Sequence, residues 1–139
     1  MIVLDTNVIS EPVKPRADSA VQAWLDRQAA ETLFLTATSL SELLLGIEML
    51  PAGARKKKLA AAMDELLAAL FGNRVLAFDR EAAAAYAAIV RKARANGFAI
   101  SVPDAQIAAI AAIRSFTVAS RDTAPFLAAG VPVINPWKS

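Results

Sequence analysis

Short, mainly apolar runs alternate along this chain with longer segments in which apolar residues recur at three- and four-residue spacing. The runs are Ile2-Val3-Leu4, Leu33-Phe34-Leu35-Thr36, Arg74 to Phe78, Phe116 to Ala119 and Val131 to Ile134. A strand covered on both faces reads as such a run, because neither face meets water and nothing forces polar residues to alternate. The helical segments fall between them. One runs from about Ala17 to Arg27, with Val21, Trp24, Leu25 and Gln28 at helical spacing. Ser39 to Leu50 is apolar nearly all round (Leu40, Leu43, Leu44, Leu45, Ile47, Met49), which predicts burial on more than one side. Ala54 to Phe71 carries Leu59, Met63, Leu66, Leu67 and Leu70 on one stripe, and Pro51-Ala52-Gly53 separates it from the preceding helix, so the two are expected to form a hairpin. Asp79 is placed to cap a helix reaching Ala95, with Asn96-Gly97 as its left-handed stop. Further helices are predicted from Pro103 to Ile113 and from Thr123 to Ala128, the latter closed by Gly130. The resulting order, β-α-β-α-α-β-α-α-β-α-β, predicts an α/β three-layer sandwich: a central parallel five-stranded sheet with helices on both faces. Residues 1–139 are expected to form a single domain.

Composition narrows the chemistry more than the fold. With 139 residues and 56% hydrophobic content, one domain can bury roughly two-thirds of the surface its unfolded chain exposes. The longest stretch without a charge, Thr123 to Trp137, is 15 residues and contains Pro125, Pro132 and Pro136; it is too short and too interrupted to span a bilayer, which needs about 20 residues. The first residues lack the basic start and long apolar core of a secretion signal, so a cytoplasmic protein is expected. There is no Cys and no His, which excludes disulfides, thiol nucleophiles, imidazole bases and zinc sites of the sulfur or imidazole type. Catalysis would have to run on carboxylates, hydroxyls, amides or basic side chains. A formal charge of +2 is too small to mark a nucleic-acid binder by itself.

Of the thirteen Asp and Glu residues, four fall at element junctions on one predicted edge of the sheet: Asp5, Glu42, Asp104 and Asp122. In an open α/β sheet, ligands sit in the crevice beyond the C-terminal ends of the strands. Each acid also has a local explanation. Ser39-Leu40-Ser41-Glu42 and Ser101-Val102-Pro103-Asp104 both fit a capping box, while Asp5 and Asp122 could cap the turns that follow them. The apolar surroundings argue for more than caps. Asp104 shares a line with Ile107, Ala108 and Ala111, and Glu42 shares a face with Leu45, Gly46 and Met49. If the first and fourth strands are neighbours, about 4.8 Å apart, Asp5 and Asp122 enter one crevice with both helix-borne acids. Two like charges at about 4 Å repel by around 4 kcal/mol at an effective dielectric near 20, so such a group calls for a cation. Arg121, on the opposite strand face, is a doubtful partner. Oxygen-only ligands suit Mg2+ or Mn2+, which can activate water and neutralise a phosphodiester.

These residues resemble a known family. Met1-Ile-Val-Leu-Asp5-Thr6-Asn7-Val8, Glu42 in Ser-Glu-Leu, Pro103-Asp104-Ala-Gln-Ile-Ala-Ala and Ser120-Arg121-Asp122 look like the four signatures of PIN-domain ribonucleases, and within them of the VapC and FitB-like toxins of type II toxin-antitoxin pairs. The resemblance extends over essentially the whole chain, including the helical hairpin and the closing Asn135-Pro136-Trp137. It implies a Mg2+- or Mn2+-dependent ribonuclease acting on RNA. Asp5, Glu42, Asp104 and Asp122 would be the metal-holding acidic quartet, with Thr6, Asn7 and Ser120 as polar supports. It also implies a homodimer and a cognate VapB/FitA-like antitoxin covering the active-site groove. Many relatives carry a His where this chain has Ile113-Arg114-Ser115-Phe116.

Other residues carry weaker signals. Arg55-Lys56-Lys57-Lys58 could contact RNA phosphates or form a solvated helix face, and Arg91, Lys92 and Arg94 are read the same way. Trp24 and Tyr86 lie on apolar stripes and are expected in the core or at a dimer contact. The apolar surplus on the helices from Ser39 to Phe71 hints at a partner surface. Three other readings stand against the nuclease. A haloacid-dehalogenase-like phosphatase would place a second Asp where Asn7 stands. A receiver domain would pair Asp5 with an adjacent acid. A catalytically silent interaction module of the same fold would leave the acids purely structural.

Overall fold

The structure is a computed structural model describing residues 1–138. Its centre is a parallel sheet of five short strands: β1 (Ile2–Leu4), β2 (Leu33–Thr36), β3 (Val75–Leu76), β4 (Thr117–Ala119) and β5 (Val133–Ile134). Their order is β3-β2-β1-β4-β5. The chain builds outward from β1 in one direction, then returns to add β4 and β5 on β1's other side. Register pairs Leu4 with Ala119 across β1 and β4, and the Asp5 amide continues that ladder by donating to the Ala119 carbonyl at 2.9 Å. The reversal of strand order therefore lies where Asp5 and Ser120 leave the sheet, the position at which α/β folds open a ligand crevice. The five-stranded parallel sandwich and the neighbouring first and fourth strands agree with the sequence reading.

Helices cover both faces. α1 (Thr6–Ser10), α2 (Ser19–Asp26) and α4 (Ala54–Leu70), with Leu43 of α3 (Ala37–Glu48), enclose a core containing Leu4, Leu33, Leu35, Trp24 and Phe71. On the other face, α5 (Arg80–Ala95), α6 (Val102–Arg114) and α7 (Ala124–Ala129) pack over Val3, Val118 and Phe126. Val3 and Leu4 thus point to opposite cores, which explains why β1 has no polar position. Full burial of a Leu, Val or Phe contributes about 1.5–3 kcal/mol each. The alanine excess has a packing role in the second core. Ala82 and Ala93 of α5, and Ala105, Ala108, Ala109 and Ala111 of α6, are completely buried, so the two helices approach closely at small side chains. Tyr86 packs edge-on against Phe78 with ring centroids 5.8 Å apart.

Several boundaries differ from the sequence reading, each for a local reason. α3 starts at Ala37, two residues earlier than expected, because the Thr36 side chain accepts from the Ser39 amide at 3.0 Å and is the true cap. Glu42 is consequently beyond the first turn and belongs to no capping box. β3 is two residues long, and the Arg74 side chain beside it holds the connection together. Its guanidinium donates to the carbonyls of Leu33 at 3.1 Å, Ala30 at 2.7 Å and Leu70 at 2.6 Å. The all-round apolar pattern of α3 does not translate into burial within one chain. Only Leu43 among its large apolar residues is buried, whereas Leu45 and Met49 are 61% and 76% exposed. Asp79, Trp24 and Gly97 behave as expected: a cap accepting from Ala82, a buried core residue and a left-handed stop at φ 78°.

α4 begins against its own electrostatics. Gly53, at φ 148°, provides no side-chain cap, no acid lies in the first turn, and Arg55, Lys56, Lys57 and Lys58 face the positive end of the helix dipole. Each cation so placed costs about 0.3–1 kcal/mol at low ionic strength.

Replacing Arg74 with Ala should leave three carbonyls without their charged donor. Loss of hydrogen bonds to a charged group predicts a drop of about 2–3 kcal/mol in unfolding free energy, measurable by urea denaturation as a lower midpoint with an unchanged slope.

Candidate functional site

The site grows from the end of β1. Because β1 and β4 run side by side, the residues that follow them, Asp5 and Ser120, meet at the top of the sheet. Asp5 is only 6% exposed and Ser120 is fully buried. The Ser120 hydroxyl donates to Asp5 Oδ2 at 2.7 Å, and the Thr6 amide donates to Oδ1 at 2.8 Å. Both carboxylate oxygens are thereby fixed. Asp5 is also the N-cap of α1, so capping and site formation are one arrangement here.

Ser120 is itself held. Its oxygen accepts from the Asp122 amide at 3.1 Å and from the Asn7 side-chain amide at 3.4 Å. The other end of Asn7 accepts from the Arg121 amide at 3.3 Å. Asn7 thus ties α1 to the turn after β4. Arg121 swings away from the acids, its guanidinium 5.2 Å from the Trp137 ring centre, and the Asn135 side chain donates to the Arg121 carbonyl at 3.4 Å.

Glu42 reaches the same place from α3. The Thr6 hydroxyl donates to Glu42 Oε1 at 2.9 Å, bridging residues 36 apart. Thr6 therefore holds Asp5 with its amide and Glu42 with its hydroxyl. Asp104 stands in the first turn of α6, where its amide donates to the Ser101 cap at 3.3 Å; its carboxylate takes no part in that bond. Asp122 is exposed and does not cap α7, whose N-cap is Thr123 without a side-chain bond. It joins the network through its backbone.

Burial pushes the Asp5 carboxyl above its ordinary value of 3.8. The Ser120 and Thr6 hydrogen bonds oppose that shift, and the negative charges of Asp104 and Glu42 add to it. Asp5 thus feels the negative charges of both Glu42 and Asp104. The single ion pair among the described residues, Lys14 with Glu11 at 3.4 Å, includes none of these acids, so no basic side chain is paired with them. Their donor atoms are all oxygen, the chemistry that favours a hard divalent cation over zinc or copper. Among the described residues, three or more acids do not close around one point. An ion held here would take few protein oxygens and keep several waters, the usual manner of Mg2+.

The sequence reading did not single out Glu11, Lys14 or Gly46. Glu11 is 4% exposed, and its Oε2 has no hydrogen-bond partner. Nothing in Ser10-Glu11-Pro12 marks that acid as buried. Gly46 lies inside a predicted helix, and a mid-helix glycine is a usable signal, because it costs about 0.5–1 kcal/mol relative to alanine.

Comparison with known proteins places the arrangement in context. The sequence model of the PIN domain matches residues 2–131. The chain is 48% identical over 139 residues to "VapC ribonuclease Y4jK" of Sinorhizobium fredii, covering 99% of each chain. It is 45% identical over 137 residues to "Toxin FitB" of Neisseria gonorrhoeae, again covering 99% of each. Among solved structures it resembles a chain of FitAB bound to an IR36 DNA fragment, with a TM-score of 0.94, 45% identity and coverage of 99% of this chain and 96% of that one.

Since folded Asp5 holds its proton to higher pH than in the unfolded chain, its ionisation destabilises the fold. That loss develops as pH rises from about the ordinary 3.8 through the raised value. Metal-free Asp5→Asn should therefore be at least as stable as the parent near neutral pH, with the margin closing as pH falls toward about 4. Thermal melts across that range check it.

Proposed function

The chain belongs to the PIN-domain family, and from that premise we propose that it is a Mg2+- or Mn2+-dependent endoribonuclease serving as the toxin of a type II toxin-antitoxin pair. The observation that carries this reading is the buried, doubly held Asp5 carboxylate coupled to Glu42 and Asp104 with no basic counter-ion. Left alone, such a group is electrostatically unfavourable. A divalent cation would turn that cost into binding energy.

In this reading Asp5 holds the ion with most of its shell left to water, Glu42 and Asp104 add the charge that draws it in, and Asp122 would complete the quartet by turning its exposed side chain inward. Bound there, a divalent ion supplies charge neutralisation for a phosphodiester and lowers the pKa of water. The protein's own part is positional. Ser120 and the Thr6 amide fix both oxygens of Asp5, the Thr6 hydroxyl turns Glu42 toward it, and Asn7 holds Ser120 and the Arg121 amide in register. Second-layer hydrogen bonds of this type commonly contribute 10–100-fold to metal affinity or activity. The resemblance to a VapC ribonuclease and a FitB toxin supports RNA as substrate and a cognate antitoxin protein as partner. The exposed apolar face of α3 supports assembly with further chains, including a homodimer. Among the described residues no helix is long and apolar enough to cross a membrane, in keeping with action in the cytoplasm.

The test is cleavage of RNA by the purified protein with Mg2+ or Mn2+, against EDTA and against site variants. Asp5→Asn, Glu42→Gln and Asp104→Asn should each lower the rate by at least about 100-fold, and Ser120→Ala by roughly 10–100-fold. Cleavage that survives both EDTA and Asp5→Asn at the parent rate would refute the mechanism. Wholly inactive protein that still binds its partner would favour a silent interaction module.

A further inference from the structure

Arg121 occupies an unexpected electrostatic position. It stands between Ser120, whose hydroxyl donates to Asp5 at 2.7 Å, and Asp122, and its amide donates to Asn7 Oδ1 at 3.3 Å. The acids beside it have no basic partner. A guanidinium at that place would relieve them by turning inward, because an opposite charge next to a buried carboxylate favours its ionised form. Arg121 does not do so. It is exposed, it joins no ion pair among the described residues, and its guanidinium lies over the Trp137 ring, 5.2 Å from the centre.

The ring is firmly placed to receive it. Trp137 belongs to a short 3-10 turn, Pro136–Lys138, that follows β5 and packs on α2. Pro136 is buried, and Trp137 packs against the core that contains Leu4 and Trp24. Asn135 ties the ring to its cation through both backbones. Its side-chain carbonyl accepts from the Trp137 amide at 3.0 Å, and its side-chain amide donates to the Arg121 carbonyl at 3.4 Å. Core packing accounts for the position of the ring but not for the cation over it, since an exposed guanidinium has water and a cluster of acids as alternatives. What the stack achieves is to keep Arg121 from becoming the counter-ion that the acids lack.

We propose that Trp137 is a positioning residue for metal binding: by holding the Arg121 guanidinium outside the acidic site, it keeps the Asp5 carboxylate and the negative charges of Glu42 and Asp104 free for a divalent cation. This rests on the metal-dependent reading of those acids. Released from the ring, Arg121 would compete with the ion for the same oxygens, so Trp137 acts on the metal only through Arg121.

The experiment measures Mn2+ binding to the metal-free full chain by electron paramagnetic resonance of the unbound ion, with melting temperatures recorded alongside. Trp137→Leu keeps apolar bulk against the core and removes the aromatic face; it should weaken Mn2+ binding about tenfold, the scale of residues that support a metal site. Trp137→Phe, which retains a ring for the cation, should stay within about twofold of the parent. Arg121→Gln alone should bind Mn2+ at least as tightly as the parent. Combining Trp137→Leu with Arg121→Gln should restore parent-like affinity while the melting temperature stays that of Trp137→Leu, so the gain from Arg121→Gln is larger when the ring is missing. A merely structural Trp137 would move affinity and melting temperature together, and Arg121→Gln would repair neither. The proposal is overturned by parent-like Mn2+ binding in Trp137→Leu, by a double variant as weak as Trp137→Leu, or by Arg121→Gln that weakens binding by itself. The two readings fail separately. A parent that binds Mn2+ through Asp5, with no change in Trp137→Leu, removes the role of Trp137 alone, whereas a parent that binds no Mn2+ removes the metal-dependent reading and the role of Trp137 with it.

Discussion

One carboxylate, that of Asp5, constrains everything around it. Withdrawing an anion from water is costly unless it is hydrogen-bonded and compensated, and the fold satisfies only the first condition. Ser120 and the Thr6 amide saturate the inward side of Asp5, while Glu42 and Asp104 add negative charge instead of removing it. Adjacency of β1 and β4 is what makes Ser120 available, and α1 begins at Thr6 because Asp5 caps it. Removing any of these would leave the carboxylate either exposed or unheld. The molecule therefore keeps an unrelieved electrostatic debt at the point where its sheet reverses direction, a form of strain that belongs to function more readily than to stability.

The two faces of the sheet are built differently. Over Val3 and Val118, α5 and α6 meet through fully buried alanines, a packing with little room for change, since added volume in a close-packed interior typically costs 1–3 kcal/mol. Over Leu4 and Leu35 the longest helix, α4, contributes only Met63 to the buried core, and α3 with its C-cap leaves Leu44, Leu45 and Met49 in solvent. The rigid layer sets the position of Asp104. The more exposed helical hairpin carries Glu42 and the cations of α4, so this side of the site sits beside the most exposed apolar surface.

Much was readable from the chain because strands buried on both faces, helical stripes and capping residues leave signatures within a few positions of one another. The alternation of strands and helices, apart from the short helix α1 that the predicted order left out, the parallel sheet, the Asp79 cap, the Gly97 stop and the candidacy of Asp5, Glu42, Asp104 and Asp122 all follow from such short-range patterns. The same patterns misplaced the start of α3. Ser39 through Glu42 fits a capping box, yet Thr36, at the end of β2, reaches the Ser39 amide first.

Tertiary structure alone decided which of these acids come near one another and what holds them. That Thr6 would hold Glu42, that Ser120 would hold Asp5 across 115 positions of sequence, that Asp122 would enter through its backbone, and that Arg74 would tie three carbonyls from separate segments are consequences of strand order and helix placement. So is the burial of Glu11, in a stretch with no apolar period to announce it. Hydrophobic periodicity records which side of an element avoids water, and it does so locally. A hydrogen bond between distant side chains depends on where two elements finally lie relative to one another, and no local pattern records that distance.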